Sequence, residues 1–300
     1  MCGILGLTNI ERQELLIKQA LETLKCRGRD NQAFIKQNNT IIGHTLHAVV
    51  SNIPQPFKGK GILTANCELY NWEEISKTHK IKAKNDSDLL FQLLEADLAF
   101  KEVIELLDGV FAFAYYRNNS IYLARDLLGV KPLWYTHEKG FAFASEKKAL
   151  KNIGLSDIKE LNPRQILEYN TKTNTLKFHK RPFFTTTPEI TDTKNKIINT
   201  LNTRLQKALD KRIPSVKYGL LFSGGLDSAT LAMLLKKHKQ PFTCYTAVID
   251  HPGFKDPEDL VFAKKAAKEL GLKLKIVKIT LPKIPSLLKI IVPLIEDTNV

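Results

Sequence analysis

The stretch YGLLF (218–222), followed at once by Ser223-Gly224-Gly225-Leu226-Asp227-Ser228, constrains the fold more than any other. A short apolar run that ends in small residues and passes into a helical pattern through Leu235 predicts a buried strand, a tight turn and a helix. The pattern then repeats. FTCYTAVID predicts a second strand, PEDLVFAKKAAKELG a helix ended by Gly271, LKLKIVKI a third strand, and PSLLKIIVPLIED a further helix. Strands that alternate with helices pair in parallel, because each return needs a crossover. Residues 193–300 are therefore expected to form an α/β domain with a doubly wound parallel sheet. The turn also carries chemistry. Small residues let backbone N–H groups approach phosphate oxygens, and the helix N-terminus adds a favourable dipole. Ser223 and Ser228 can donate hydroxyl hydrogen bonds to the same oxygens. Asp227 is out of place beside an anion unless Mg²⁺ stands between carboxylate and phosphate. The GxxxxGK[ST] pattern of a Walker A loop is absent. An ordinary capped strand-to-helix turn is the bland alternative.

Residues 1–150 have a different character. CGILGLT, IIGHTLHAVV, GILTANCELY, GVFAFAYYR, SIYLARD and FAFASE read as short strands between turn signals. Helical patterns span roughly 11–25 and 87–107, which suggests a layered α+β domain. Residues 160–183 read as a strand pair, and an amphipathic helix is expected over roughly 193–211. The Pro/Thr-rich segment 184–192 between them reads as a linker. The chain thus divides into a first domain, 2–183, and a second, 193–300.

The net charge of +14 sits almost wholly in the second half, where 26 Lys and Arg face 14 Asp and Glu, against 19 and 17 in the first half. The lysines are scattered among apolar residues and form no basic arm, so nucleic acid is not the expected partner; a polyphosphate ligand or an acidic partner surface suits the basic half equally. No apolar run reaches membrane-spanning length and no signal peptide opens the chain, which gives the expectation of a cytoplasmic protein without a membrane partner. Cys2, Cys26, Cys67 and Cys244 lack metal-ligand spacing and read as reduced thiols. His44 and His47 are the only histidines spaced closely enough to suggest ligation, and on a strand they read as packing residues.

The opening residues are MCGI. Loss of Met1 would make Cys2 the N-terminus, with a thiol and an α-amine on one residue. That amine titrates near neutrality and can serve as the base for its own thiol. Taken alone, the start of a buried strand explains Cys2 equally well.

SGGLDS after an apolar strand resembles the pyrophosphate loop of the N-type ATP pyrophosphatases, and MCGI resembles the class II glutamine amidotransferases, of the N-terminal-nucleophile hydrolase fold. In this order the two halves resemble the glutamine-hydrolysing asparagine synthetases. Further segments carry the likeness. They are Arg27-Gly28-Arg29-Asp30 for RGPD, Asn66-Cys67-Glu68-Leu69-Tyr70-Asn71 for NGEIYN, and Asp86-Ser87-Asp88 for GSD. GVFAFA (109–114), the run Ala124-Arg125-Asp126 through Gly129, Pro132 and Leu133, and FASEKKAL (143–150) complete the set. The resemblance implies an αββα sandwich for the first domain. It implies that Cys2 attacks the glutamine side-chain amide, that Asn66 and the Cys67 N–H form the oxyanion hole, and that Glu68 and Asp88 hold the substrate α-ammonium. In the second domain it implies that backbone around Leu221 and Val248 holds adenine. Ser223, Gly224, Gly225, Asp227 and Ser228 would hold pyrophosphate with Mg²⁺. ATP would activate L-aspartate as β-aspartyl-AMP, and ammonia from L-glutamine would give asparagine, AMP and pyrophosphate. A homodimer is a family expectation only.

Three departures matter. The arginine that the family places on the glutamine α-carboxylate aligns with Leu46, in His44-Thr45-Leu46-His47-Ala48-Val49-Val50. The oxyanion-hole glycine is Cys67, whose side chain is expected to crowd the spot. The chain stops at PLIEDTNV, before the family's second glycine-rich acidic segment, so the synthetase domain is expected to be incomplete at its C-terminus. Two other readings remain: an amidotransferase-synthetase with another carboxylate acceptor, and a non-catalytic paralogue that binds glutamine or ATP.

Overall fold

The computed structural model describes residues 1–295 apart from Val50, Asp97, Ser215, Lys239 and Phe254. The expected last helix runs on into Glu296 and Asp297, which lie outside the described residues, as do the chain end at Val300 and Val50 of the His44–Val50 segment. The chain divides into two compact units, Met1–Thr187 and Pro188–Val300.

In the first unit the elements run β1 (Gly3–Thr8), α1 (Gln13–Leu24), β2 (Asn31–Gln37), β3 (Thr40–Leu46), β4 (Phe57–Lys58), β5 (Ile62–Leu69), α2 (Trp72–Thr78), α3 (Asp86–Glu95) and α4 (Phe100–Leu106). They continue with β6 (Gly109–Arg117), β7 (Ser120–Arg125), β8 (Trp134–Thr136), β9 (Phe141–Ala144), α5 (Lys147–Lys151), β10 (Lys159–Glu160), β11 (Gln165–Asn170) and β12 (Thr175–Lys180). Two six-stranded sheets result, ordered β10-β8-β9-β1-β3-β2 and β12-β11-β7-β6-β5-β4. Three apolar clusters define the layers. Ile4, Ile42, Ile62, Ala114, Phe143 and Leu167 fill the space between the sheets. Leu5, Leu7, Ile17, Leu21 and Leu150 join α1 and α5 to the first sheet. Leu63, Leu89, Leu93, Val103 and Phe113 join α3 and α4 to the second. This is the expected αββα sandwich. β1 and β3 are buried on both faces, so neither shows the alternation of a half-exposed strand.

The single helix expected over 87–107 is instead two. Ala99 is extended (φ −67°, ψ 141°), and its N–H donates to the Glu102 carboxylate, which starts α4 afresh. β2 and α2 had no sequence expectation. β2 alternates exposed and half-buried positions at the edge of its sheet, so its hydrophobic pattern is weak.

The second unit contains α6 (Lys194–Asp210), β13 (Gly219–Leu221), α7 (Leu226–Leu235), β14 (Thr243–Asp250), α8 (Glu258–Glu269), β15 (Leu274–Thr280) and α9 (Ile284–Ile295). The sheet is parallel, in the order β13-β14-β15. Among the described residues the three strands are added in one direction, and double winding is not seen within them. Each new strand adds on the same edge, so right-handed crossovers place α7 and α8 on one face. Ala232, Ala263 and Ala267 accordingly share one cluster with Phe222 and Cys244. A doubly wound sheet needs the chain to return to the other edge of its first strand.

Candidate active site

Cys2 immediately precedes β1, and pairing of Gly3 with Thr45 sets it beside the end of β3. Its Sγ lies 3.4 Å from the His47 N–H, which can donate to it, and 3.9 Å from the His47 carbonyl, which can accept from it. Arg27 fixes the other side of the residue. Its Nε donates to the Cys2 carbonyl at 2.9 Å and its Nη1 to Glu146 Oε1 at 3.0 Å, in a buried pair. Gly28 is required here because a Cβ would meet the Thr45 and Leu46 backbone at 2.5 Å. The turn that delivers Arg27 thus packs directly on β3. Asp30 ties down the segment after β3, accepting from the Ala48 N–H at 2.7 Å and facing His47 Nδ1 at 3.7 Å.

Burial pushes the Cys2 thiol above its usual range, opposed by the His47 N–H and by the charges of the N-terminal amine, Arg27 and Lys131. The same environment lowers the α-amine of Met1, chiefly by burial, with Cys2 opposing the shift and Arg27 and Lys131 adding to it.

β5 brings in the next group. Ile62 faces the inter-sheet core and the Thr64 hydroxyl donates to the Gly43 carbonyl of β3, so residues of even number on β5 point toward the first sheet. Asn66 and Glu68 share that face. Asn66 is buried, and its Nδ2 has no hydrogen-bond partner among the described residues. The odd residues Leu63, Ala65 and Leu69 pack against the helices. Cys67 joins them, where its thiol meets the Asp86 carboxylate, and burial with Asp86 pushes the thiol well above its usual range. The crowding expected from Cys67 is therefore directed toward α3, while Asn66 faces the first sheet. Asp86, which also accepts from the Leu69 and Ser87 N–H groups, has its own pKa raised, mainly by burial. In sequence Asp86 stands out only as part of the Asp86-Ser87-Asp88 segment, and its contact with Cys67, nineteen residues away along the chain, had no sequence expectation.

Backbone donors follow the same parity. Neighbouring pairs in an antiparallel ladder alternate between bonded and non-bonded. The Ala65 N–H goes to Gln55 Oε1 and the Leu69 N–H to Asp86 Oδ2, so this set turns away from β6. The Cys67 N–H lies between them on the same side.

Glu68 is 60% exposed, and Lys131, 5% exposed, places Nζ 2.9 Å from its Oε1. Lys131 had no sequence expectation, and its contact spans sixty-three positions. Asp88 is engaged in the α3 start. Its carboxylate accepts from the Lys84 N–H at 2.8 Å and its own N–H donates to the Asn85 side chain at 2.8 Å. Leu46 is buried and pairs with Asn31. His44 is buried, with Nε2 3.2 Å from the Ala65 carbonyl, and burial holds its pKa at about 4. It is a packing residue.

In the second unit Gly225 precedes α7, and the Ser223 hydroxyl accepts from its N–H at 3.3 Å and lies 3.2 Å from the Ser228 hydroxyl. Gly224 has φ +77°, and a Cβ there would meet the α8 backbone at Phe262 and Ala263 at 2.4 Å. Only glycine lets the loop pass so close to α8. Asp227 is exposed in the first turn of α7. Leu221 pairs with Tyr245 on the neighbouring strand, and Val248 lies three residues further along it, buried. No group of three or more metal-ligating side chains occurs among the described residues. Asp227 fits Mg²⁺ only as the single protein carboxylate of a site completed by phosphate oxygens. No helix is long and apolar enough to cross a membrane among the described residues.

A family model described as glutamine amidotransferase domain matches residues 1–207, and one described as asparagine synthase matches residues 200–299. A protein of Methanocaldococcus jannaschii with the provisional name asparagine synthetase (glutamine-hydrolyzing) 1 is 30% identical over 92% of this chain and 58% of its own length. Asparagine synthetase (glutamine-hydrolyzing) 2 of rice, Oryza sativa, is 29% identical over 90% of this chain and 48% of its own. Asparagine synthetase (glutamine-hydrolyzing) 3 of Bacillus subtilis is 28% identical over 79% and 46%. The chain spans about half the length of these relatives. Among solved structures, a glutamine phosphoribosylpyrophosphate amidotransferase from B. subtilis, complexed with ADP and GMP, aligns with a TM-score of 0.57 at 15% identity, over 92% of this chain and 90% of that one. At that identity the likeness is one of fold.

Proposed function

Because the chain belongs to the glutamine amidotransferase domain family, we propose that its first unit hydrolyses L-glutamine at Cys2 and that the ammonia serves an ATP-dependent amide synthesis. The observation that carries this reading is the buried Nδ2 of Asn66, unpartnered among the described residues, on the face of β5 that looks toward the first sheet, whose strand β1 Cys2 precedes. A buried donor without an acceptor costs stability in the resting protein and gains its partner when an oxyanion forms.

With Met1 removed, the Cys2 α-amine accepts the thiol proton as sulfur attacks the side-chain amide carbon. The oxygen of the tetrahedral adduct takes hydrogen bonds from Asn66 Nδ2 and the Cys67 N–H. The amine returns the proton to the departing ammonia, leaving a γ-glutamyl thioester on Cys2. Water, deprotonated by the same amine, releases glutamate. Arg27 holds the Cys2 carbonyl and so the orientation of the residue, and Glu68 receives the α-ammonium. Asp88 is the second candidate for that ammonium, once it is freed of the Lys84 N–H.

In the second unit the Ser223–Ser228 loop would bind the phosphates of ATP, with adenine beside the Leu221 and Val248 backbone. Asp227 would hold Mg²⁺, which supplies charge neutralisation between phosphates. L-aspartate is the acceptor favoured by the asparagine synthase match over residues 200–299. A cytoplasmic homodimer is the expected setting.

The test is ammonia release from L-glutamine by the purified chain, with N-terminal mass confirming loss of Met1. Release by the wild type and none by Cys2→Ala is the expected result. No release from a folded, processed wild type overturns the hydrolytic reading.

A further inference from the structure

We propose that Lys131 is the group that binds the α-carboxylate of the amino-acid substrate, with Glu68 taking its α-ammonium, so that this ion pair is a preassembled head-group site. The proposal rests on the glutamine reading above and adds to it the residue that selects the carboxylate end.

Lys131 is anchored before any ligand arrives. The buried carboxylate of Asp126 accepts from the Lys131 N–H at 3.0 Å and from the Val130 N–H at 2.9 Å, which fixes the backbone that carries the side chain. The side chain is 5% exposed and its ammonium has one hydrogen-bond partner among the described residues, Glu68 Oε1 at 2.9 Å. An ammonium has three donors. A lysine this buried with donors to spare is costly unless an anion completes it. Glu68 cannot fill that role alone, since its carboxylate is 60% exposed and open to solvent. One buried cation beside one open carboxylate presents the two charges that a zwitterionic amino acid needs, in complementary sense. Glu68 shares with Asn66 the face of β5 that looks toward the first sheet, whose strand β1 Cys2 immediately precedes, so the pair is on the side of the nucleophile.

Two other residues are less suited. Leu46 is apolar and buried in its sheet. Arg27 already has its buried charge matched by Glu146 and its Nε on the Cys2 carbonyl, with only Nη2, against the Met1 sulfur, left over. Charge-assisted pairing by Lys131 therefore distinguishes L-glutamine from amides that lack the α-carboxylate.

The experiment is calorimetric binding to the full chain carrying Cys2→Ala, which prevents turnover, with and without Lys131→Met and Lys131→Arg. Thermal melts check folding, and Met keeps the aliphatic stem. Two ligands are compared, L-glutamine and L-glutaminamide, in which the carboxylate is masked. Lys131→Met is expected to weaken L-glutamine about ten- to hundredfold, the range of one charge-assisted hydrogen bond, and to leave L-glutaminamide unchanged. Lys131→Arg is expected to retain most of the L-glutamine affinity. Equal loss for both ligands, no loss for either, or no L-glutamine binding by the Cys2→Ala chain overturns the assignment. If the Cys2-intact chain releases no ammonia while L-glutamine still binds through Lys131, the head-group site stands and the hydrolytic reading falls.

Discussion

Asn66→Ala separates catalysis from stability. In the resting protein the Asn66 amide is 3% exposed and its Nδ2 is unsatisfied among the described residues. Removing a buried donor that has no partner relieves a desolvation cost of about 1–3 kcal/mol. The truncation also opens space worth about 1 kcal/mol per methyl-sized void. The two effects oppose each other, and the net change is expected to lie within about 1 kcal/mol. For a unit of this size that is a shift of about 2–4 °C in Tm. The transition state loses one of two oxyanion donors, which corresponds to about 100- to 1000-fold in kcat. The assay pairs initial rates of ammonia release at saturating L-glutamine with a thermal melt of the same preparation. A kcat within threefold of wild type refutes the oxyanion role. A melt lowered by more than about 10 °C refutes the premise that the amide is idle in the resting fold.

Three further expectations follow the same logic. Glu146→Gln leaves the buried Arg27 guanidinium without its carboxylate, and unit one should lose about 3–5 kcal/mol in urea unfolding, with glutaminase activity falling because Arg27 also holds Cys2. His44 has a folded pKa of about 4 against 6.5 unfolded, so the unfolded chain binds more protons between those values and stability rises with pH across that window. Acidification from 6.5 to 4 should cost about 3 kcal/mol through this group, and unit-one stability in His44→Gln, followed by urea titration at several pH values, should depend less steeply on pH. Gly224→Ala must hold φ near +77° against the α8 backbone, so calorimetry should find ATP binding lost, with ammonia release from L-glutamine retained.

Local pattern made most elements legible. Periodicity placed β1, β5, β6, α1 and the strand–helix alternation of the second unit, because each buries one continuous apolar stripe or run. It failed where burial is partial or the pattern is shared. Edge strand β2 has little to bury, and α3 and α4 present one apolar face to the same sheet, so their break at Ala99 does not interrupt the periodicity.

The sequence by itself determined the chemistry on offer: a cysteine one residue from the N-terminus, an Asn-Cys-Glu run on a strand, and a glycine-rich turn between a strand and a helix. These are local facts, fixed by neighbours along the chain. Only the tertiary structure decided which of them meet. The parity of β5 sent Asn66 and Glu68 toward the first sheet and Cys67 toward Asp86. The close pass of Gly28 over β3 delivered Arg27 to Cys2, and the loop anchored by Asp126 delivered Lys131 to Glu68. Such pairings depend on strand register and layer packing. These arise from the summed burial of residues far apart in sequence, and no single segment encodes them.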